Sequence, residues 1–327
     1  MEILSLPFMQ RALIAALLSG LIAPAIGTFI VQRKMSLLGD GLGHVAIMGV
    51  GFALMTGTAP LPVAVVTCVV GAVAVELLRQ RGKASGDLAL AILFYGGLAS
   101  GVLMAGIAGQ GAAGLSAFLF GSLTSVSQTE IYVIIALAVI ILGVTITLAP
   151  RLFAVSVDEN YARVLGIRVK LLNLLVVVLA AVTVTVSMRT VGLLLISALM
   201  VIPVATAQQS FVGFTASFFG AMGIGALAAL GGTIGSFYLD TATGATIVVT
   251  AILLLGLSWL IGGKLRRASR FIPYIEDHGQ HPHEPAESHD DRHSHDPSVR
   301  VIQHGDHLDY VHDGHRHARH GDHYDEH

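Results

Sequence analysis

An aspartate and a histidine four residues apart carry the strongest chemical signal in this 327-residue sequence. Asp40 and His44 lie in the stretch MSLLGDGLGH. On a helix this spacing places both residues on one face. A carboxylate with an imidazole suits Zn²⁺, Mn²⁺ or Fe²⁺ better than an alkali ion. The pair therefore indicates a metal or proton pathway, and the structural alternatives are a bond between the two side chains or a cap on a helix end.

Further ligands for such a site must come from groups other than histidine. The other fourteen of the fifteen histidines all lie between His278 and His327, and two residues cannot complete a tetrahedral metal site. Pro203 is expected to break the hydrogen-bond ladder of its helix and free backbone carbonyls. Ordinary packing or helix-end bonding is the alternative for each remaining candidate in the pathway or its gate. These candidates are Ser197, Pro203, Thr206, Tyr238 and Asp240.

The C-terminal segment is a second and separate place for metal chemistry. Its histidines are interleaved with Asp and Glu, and neutral imidazoles bind Zn²⁺, Ni²⁺ or Cu²⁺ readily. Few apolar residues and many Pro, Gly and charged residues predict disorder, so we expect low-affinity binding; a solvated tail without a metal role is the alternative. The candidate ligands are His281, His283, His293, His295, His315, His317, His320 and His323.

The elements that must position Asp40 and His44 are membrane helices. The chain is 54% hydrophobic and only 12% charged, about half the charged fraction of a soluble domain. Its mean hydropathy is +0.74. We therefore predict an all-α, polytopic transmembrane bundle over residues 1–268 and a disordered cytoplasmic tail over 269–327. Apolar runs predict nine spans, within a range of eight to ten. They are 10–32, 36–58, 61–79, 88–109, 127–149, 169–188, 190–209, 211–231 and 244–262.

Two connections between the spans are expected to carry structure of their own. The apolar segment 110–126 is predicted to dip into the membrane as a short helix. The amphipathic segment 151–168 is predicted to form a short surface helix. Asp158 and Glu159 would lie near its N-terminus, where the helix dipole favours negative charge. Gly166 would end that helix.

Basic residues predict the orientation of the bundle. With the N-terminus outside, thirteen Lys and Arg residues fall in inner connections and only Arg11 and Arg189 fall outside. The positive-inside rule therefore places the N-terminus outside and the tail in the cytoplasm. The sequence lacks the glycine-rich loop that binds ATP phosphates, and it shows no pairing of a nucleophile with a base. We therefore expect a non-enzymatic subunit whose ATP, if used, is hydrolysed by another polypeptide.

Four segments in order along the chain resemble one family. These are MSLLGDGLGHVAIMGVG, DENYARVLGI, VGLLLISALMVIPVATA and FYLDTATG. They resemble the integral-membrane permeases of bacterial ABC importers for zinc, manganese and iron, and are most similar to the zinc uptake members. The second segment, with Asp158, Glu159 and Gly166, is similar to the one that docks on the ATPase.

The resemblance implies a multi-pass protein of the bacterial inner membrane. Its expected partners are a second copy of itself, cytoplasmic ATPase subunits, an extracytoplasmic metal-binding protein and membrane lipid, without nucleic acid. We expect no tightly bound cofactor and a divalent metal as substrate. Asp and His ligation suits Zn²⁺, Mn²⁺ and Fe²⁺ alike, and the thiol-free, imidazole-rich tail favours Zn²⁺.

Two other functions remain as alternatives. One is a secondary metal transporter or exporter with a histidine-rich cytoplasmic segment. Such proteins usually need several intramembrane His and Asp pairs to couple protons to metal, whereas this chain has one. The other is an ABC permease for metal chelates, with a wider and less charged pathway, against which Asp40 and His44 argue.

Overall fold

The fold is given by a computed structural model that divides the chain into two units, Met1–Ser269 and Arg270–His327. The boundary lies one residue beyond the position predicted from composition. The structure describes residues 6–80, 86–109, 111–121, 127–188, 191–193, 195–269, 300–304, 307–312, 315–320 and 323–326.

The described part of the first unit is entirely helical apart from its connections. Eight of its helices are long and apolar enough to cross a membrane, which confirms the all-α transmembrane prediction. The helices are α1 (Pro7–Gln32), α2 (Leu38–Thr56), α3 (Pro60–Gln80), α4 (Gly86–Ile107), α5 (Gly111–Phe120), α6 (Gln128–Val157), α7 (Glu159–Val164), α8 (Val169–Ser187), α9 (Ile196–Ser210), α10 (Phe214–Leu239) and α11 (Thr243–Ser269).

One predicted span is shorter than the sequence suggests. Residues 190–209 were expected to cross the membrane, but the helix there is α9, which has 15 residues. Residues 191–193 are not helical, because Gly192 has a φ of +87°, in the left-handed region that favours glycine. The eight long helices remain within the predicted range of eight to ten. The short helix expected within 110–126 is α5.

Close helix packing positions α2 inside the bundle. A Cβ atom at Gly97 of α4 would lie 2.6 Å from the carbonyl carbon of His44, so the two backbones approach as only glycine allows. On its other sides α2 contacts α3, α8 and α9. The aliphatic residues Leu38, Leu42 and Ile47 of α2 are almost completely buried. This packing fixes the helix that carries Asp40 and His44.

The described part of the second unit is a four-stranded antiparallel sheet in the order β1-β2-β3-β4. It differs from the disorder predicted for the whole of 269–327. The physical reason is the short connection between each pair of strands: two residues, Gly-Asp or Asp-Gly, separate consecutive strands, and such pairs favour tight hairpins. The strands are β1 (Arg300–His304), β2 (His307–His312), β3 (His315–His320) and β4 (His323–Glu326).

Candidate metal pathway site

Asp40 lies in the first turn of α2, where the N-terminal end of the helix favours a carboxylate. The hydroxyl of Ser197 donates a hydrogen bond to Oδ1 of Asp40. Ser197 itself lies in the first turn of α9, directly after the non-helical segment. The break in the chain before α9 therefore places a hydroxyl against the carboxylate of a different helix. The sequence predicted both residues, and the structure brings them together.

His44 does not bond to the Asp40 side chain, which was the structural alternative for this pair. Its Nδ1–H donates to the backbone carbonyl oxygen of Asp40, at 2.7 Å. In the neutral imidazole this bond leaves the lone pair on Nε2, the arrangement found for metal-binding histidines. The ring packs on Phe94, with 3.9 Å between the ring centroids, and the residue is only 6% exposed. Nε2 of His44 and the second oxygen of Asp40 therefore remain as potential ligands.

A cavity of about 280 Å³ lies between α2 and α4 at Asp40. Leu37 and Gly41 form its α2 side with Asp40, while Phe94 and Tyr95 contribute to the α4 side. A water molecule needs only about 10–15 Å³ of such space, so the cavity can hold an ion with several of its water ligands. Among the described residues, Asp40 is the only acidic one that lines the cavity.

The non-helical segment 191–193 packs between α5 and α2. The backbone N–H of Leu193 donates to the carbonyl oxygen of Phe118, at 2.9 Å. On the opposite side, a Cβ at Gly43 would lie 2.8 Å from the carbonyl oxygen of Leu193. Irregular backbone inside a membrane protein is tolerated where protein covers it, as it does here. This segment therefore connects the short helix α5 with the helix that carries the Asp40–His44 pair.

Four other predicted pathway residues lie away from this cavity. Pro203 lies inside α9, which is continuous from Ile196 to Ser210, whereas the non-helical stretch lies at 191–193. Thr206 bonds within its own helix, to the carbonyl oxygen of Ile202, at 2.8 Å. Tyr238, in the last turn of α10, is 71% exposed, and Asp240 ends that helix with a left-handed backbone.

No protein-only metal cage is present in the described part of the helical unit. No three or more His, Cys, Asp or Glu residues come together there in a metal-binding group. Cys68 is buried and its thiol donates to the carbonyl oxygen of Leu42, at 3.3 Å. Within the described residues, the Asp40 site therefore presents fewer ligands than a closed structural metal centre requires.

The segment predicted to face an ATPase forms the short helix α7. The carboxylate of Asp158 caps it by accepting from the N–H groups of Asn160 and Tyr161, at 2.8 and 3.0 Å. Glu159 accepts from the amide of Asn173 in α8, at 2.9 Å. Gly166 follows the helix with a φ of +75°. A short helix with Asp158 and Glu159 at its start and Gly166 after its end is present as predicted, but residues 151–157 of the predicted segment belong to α6. Both acidic groups hold α7 in place.

The exposed surface of the same segment was missed from sequence. Tyr161, Val164 and Leu165 are 61%, 84% and 55% exposed, although all three are apolar or aromatic. The prediction for this segment rested on Asp158 and Glu159, because charged residues are conspicuous in an apolar sequence. The amphipathic pattern of ENYARVL, with its apolar positions on the outer face of a short helix, was the available signal.

A second cavity, of about 370 Å³, adjoins the end of α1. Arg33, Arg79 and Glu159 line it, and Leu90 borders both this cavity and the one beside Asp40. Arg79 is paired with the buried Glu76, at 2.9 Å. Burial lowers the pKa of the Arg33 guanidinium; Glu159 opposes this shift, and the nearby charge of Arg79 adds to it.

Comparison with known proteins identifies this arrangement. The profile described as "ABC 3 transport family" matches residues 5–261, which include all eleven helices up to the end region of α11. The chain belongs to this family of ABC transport permeases. It is therefore a membrane-spanning transport subunit, and the resemblance of the four sequence segments is confirmed.

Relatives within the ABC 3 family are named for different metals. The chain is 32% identical to the manganese transport system membrane protein MntC of Halalkalibacterium halodurans, over 83% of this chain and 92% of MntC. It is also 32% identical to the high-affinity zinc uptake system membrane protein ZnuB of Haemophilus influenzae, over 76% of this chain and 95% of ZnuB. Among solved structures, PsaBC from Streptococcus pneumoniae in complex with Fab matches with a TM-score of 0.74 and 28% identity. That match covers 82% of this chain and 97% of the other.

The histidine-rich tail lies beyond the region matched by the ABC 3 family. His281, His283, His293 and His295 lie outside the described residues, whereas His315, His317, His320 and His323 lie in β3 and β4. Three further histidines of the sheet, His304, His307 and His312, were missed. The signal for them was the repeated two-residue Gly/Asp connection, which predicts paired strands with histidines at their ends.

Proposed function

We propose that this ABC metal-import permease carries Zn²⁺ into the cytoplasm and that Asp40 and His44 contact the ion on its way. The observation that supports the proposal most directly is the Asp40 site. A carboxylate lies beside a cavity of about 280 Å³, and an imidazole one turn away keeps Nε2 free because Nδ1 is bonded to the backbone. Both groups are ligands that divalent transition metals prefer.

The incomplete ligand set suits transport. An ion that meets one carboxylate and one imidazole keeps part of its water shell, so it enters without full dehydration and leaves without breaking a closed cage. Ser197 holds the carboxylate through Oδ1 and restricts its rotation. Because Ser197 belongs to α9, a shift of α9 relative to α2 would change the site and release the ion.

The second cavity gives the ion a route onward. It shares Leu90 with the Asp40 cavity and is lined by Arg33, Lys34 and Arg79, with Glu159 as its acidic group. The positive charges of this cavity repel a cation, so an ion that has passed Leu90 is bound only weakly there. We assign this end to the cytoplasm, with the N-terminus of the chain outside, on the distribution of basic residues.

The transporter is proposed to be a homodimer with two cytoplasmic ATPase subunits and an extracytoplasmic metal-binding protein. We place the ATPase contact on α7. The exposed Tyr161, Val164 and Leu165 form a small apolar surface on a helix whose base is fixed by Asp158 and Glu159. A rigid helix with an apolar tip can transmit the movement of an ATPase to the bundle.

The test of this function is metal uptake by cells that express the complete transporter. Zn²⁺ and Mn²⁺ would be offered separately and in competition, with both isotopes counted. We expect saturable Zn²⁺ uptake that a tenfold excess of Mn²⁺ reduces only slightly. Uptake of Mn²⁺ that Zn²⁺ does not inhibit would replace Zn²⁺ by Mn²⁺ in the proposal. Absence of uptake of either metal, with the assembled complex present in the membrane, would contradict the pathway itself.

A further inference from the structure

The register of the tail sheet places four histidines in one row. His304 of β1 pairs with His307 of β2, and His320 of β3 pairs with His323 of β4. Between the middle strands Asp309 pairs with Ala318. Continuing that antiparallel register by two residues sets His307 opposite His320. The row thus crosses all four strands at the end of the sheet where the connections β1–β2 and β3–β4 lie.

Two aspartates lie in the next row on the same face. Residues two apart along a strand share a face of the sheet, so Asp309 belongs to the face of His307, and Asp325 to the face of His323. Both strands therefore carry the pattern His-x-Asp, as His-Leu-Asp in β2 and His-Tyr-Asp in β4. Four imidazole-bearing and two carboxylate-bearing positions are gathered within two rows of one face.

The spacing of these positions fits a metal ion. Directly opposed residues on antiparallel strands have Cβ atoms about 4.5–5.5 Å apart. Two imidazoles at that separation can share one ion at the usual zinc–nitrogen distance of about 2.0–2.1 Å. A donor set with more imidazoles than carboxylates favours Zn²⁺ and its neighbours over Mn²⁺ and Mg²⁺.

We propose that this row, His304, His307, His320 and His323, with Asp309 and Asp325 in the adjoining row, is a binding site for Zn²⁺ or a similar divalent transition metal. It lies outside the region shared with the transport family and does not depend on the pathway through the helices. Binding there joins the hairpin β1–β2 to the hairpin β3–β4, because ligands from both are needed. The metal therefore stabilises the whole sheet rather than one hairpin.

A second group of histidines provides an internal comparison. His312 pairs with His315 at the opposite end of the sheet, and His317 pairs with Glu326. His312 is five positions from His307 on β2, so the alternation of the strand puts it on the other face. This group has one directly opposed histidine pair, whereas the proposed site has a row of four.

The test measures Zn²⁺ binding to the full-length chain purified in detergent, by competition with a chromophoric chelator. The double variant His307→Asn, His320→Asn removes the middle of the row. The matched control His281→Asn, His283→Asn removes the same number of imidazoles outside the sheet. We expect the first variant to weaken the tightest Zn²⁺ site at least tenfold and the control to leave it unchanged. Equal effects of the two variants, or loss of the tight site only in His312→Asn, His315→Asn, would overturn the assignment.

Backbone hydrogen exchange in the same samples separates loss of ligands from loss of the sheet. Without metal, His307→Asn, His320→Asn should exchange over 300–326 as the unaltered chain does. With Zn²⁺, exchange over both hairpins should slow in the unaltered chain and not in the variant. Mn²⁺ at the same concentration should give no protection. Zn²⁺ that leaves exchange in the unaltered chain unchanged, or that protects only one hairpin, would contradict a site built across four strands.

Discussion

The hydrogen bond from Ser197 to Asp40 connects α9 with the proposed metal ligand on α2. A hydroxyl that donates to a carboxylate holds its orientation and takes up one of its lone pairs. The second carboxylate oxygen of Asp40 remains for the proposed ion. His44 is oriented in the same way, by a bond to the backbone of its own helix. Each proposed ligand thus has a neighbouring group that fixes its orientation, as is usual at metal sites whose affinity is tuned.

Replacing Ser197 tests this orienting role. We expect Ser197→Ala to reduce the apparent affinity for metal uptake about tenfold while leaving part of the transport, because the ligands themselves remain. Ser210→Ala is the matched control: it lies on the same helix and bonds only to the carbonyl oxygen of Thr206. Uptake kinetics over a range of Zn²⁺ concentrations would separate the two. If Ser197→Ala behaves as Ser210→Ala does, the orienting role is wrong.

At the scale of helices, the contact between α2 and α4 holds the site and one wall of its cavity. Gly97 allows the contact, because a side chain there would overlap the backbone of His44. Gly97→Ala should therefore lower the free energy of unfolding by about 1–3 kcal/mol, the usual cost of overpacking. Gly96→Ala is the control, since a Cβ there meets nothing within 4 Å. Thermal unfolding in detergent should show a lower Tm for Gly97→Ala alone; equal Tm values would contradict the close packing.

The α7 helix gives a second test at this scale. Reversing Asp158 and Glu159 should reduce metal-stimulated ATP hydrolysis, but it would also remove a helix cap and the bond to Asn173. Val164→Asp is a more specific test, because the side chain of Val164 is 84% exposed. We expect it to reduce co-purification of the ATPase and stimulated hydrolysis at least tenfold. Val212→Asp, at another exposed position, should not; equal losses would remove α7 as the specific contact.

The helices were predictable from sequence because a membrane makes apolar length a strong signal. The pairing of Asp40 with His44 on one helix face followed from their spacing. The break before α9 was not predictable in the same way, since VGLLLIS is as apolar as any span and only Gly192 marks the change. Pro203 is the more conspicuous residue in the sequence, but it lies within α9, as a proline can when neighbours satisfy the freed carbonyl.

The partner of Asp40 could be named as a candidate but not assigned from sequence. Ser197 is 157 positions away, and its contact depends on how α9 packs on α2. For the tail, the overall composition and the local sequence pattern indicate different structures. Its composition predicted disorder, whereas the two-residue Gly/Asp connections, such as Gly305-Asp306, carried a local hairpin signal. Composition averages over such patterns, so it could not reveal the row of histidines.

At the scale of the whole molecule, the tail follows the last span and is proposed to lie in the cytoplasm. Such a segment meets metal after transport and has a high local concentration near the ATPases. Deletion of 278–327 should keep uptake at low zinc but raise accumulation when zinc is plentiful, if the tail senses metal. Accumulation measured at both concentrations decides this: equal values in truncated and full-length transporters would contradict sensing, and loss at low zinc would indicate an acceptor that speeds release.

The pH dependence of the tail follows from imidazole chemistry. Protonated imidazole is not a ligand, so its Zn²⁺ affinity should fall as the pH decreases below about 6.5. Competition with a chelator at pH 7.5 and pH 5.5 would measure the difference. Affinity that is the same at both values would show that groups other than histidine hold the metal.

The central claim is that metal passes Asp40 and His44, and Zn²⁺ uptake by two single variants tests it most directly. Asp40→Asn and His44→Ala would be expressed in the complete transporter, with Ser210→Ala as control and with co-purification of the ATPase to confirm assembly. The account predicts that both variants assemble normally and lose uptake, while the control transports as the unaltered protein does. Near-normal Zn²⁺ uptake in either variant would remove that residue from the pathway and contradict the account.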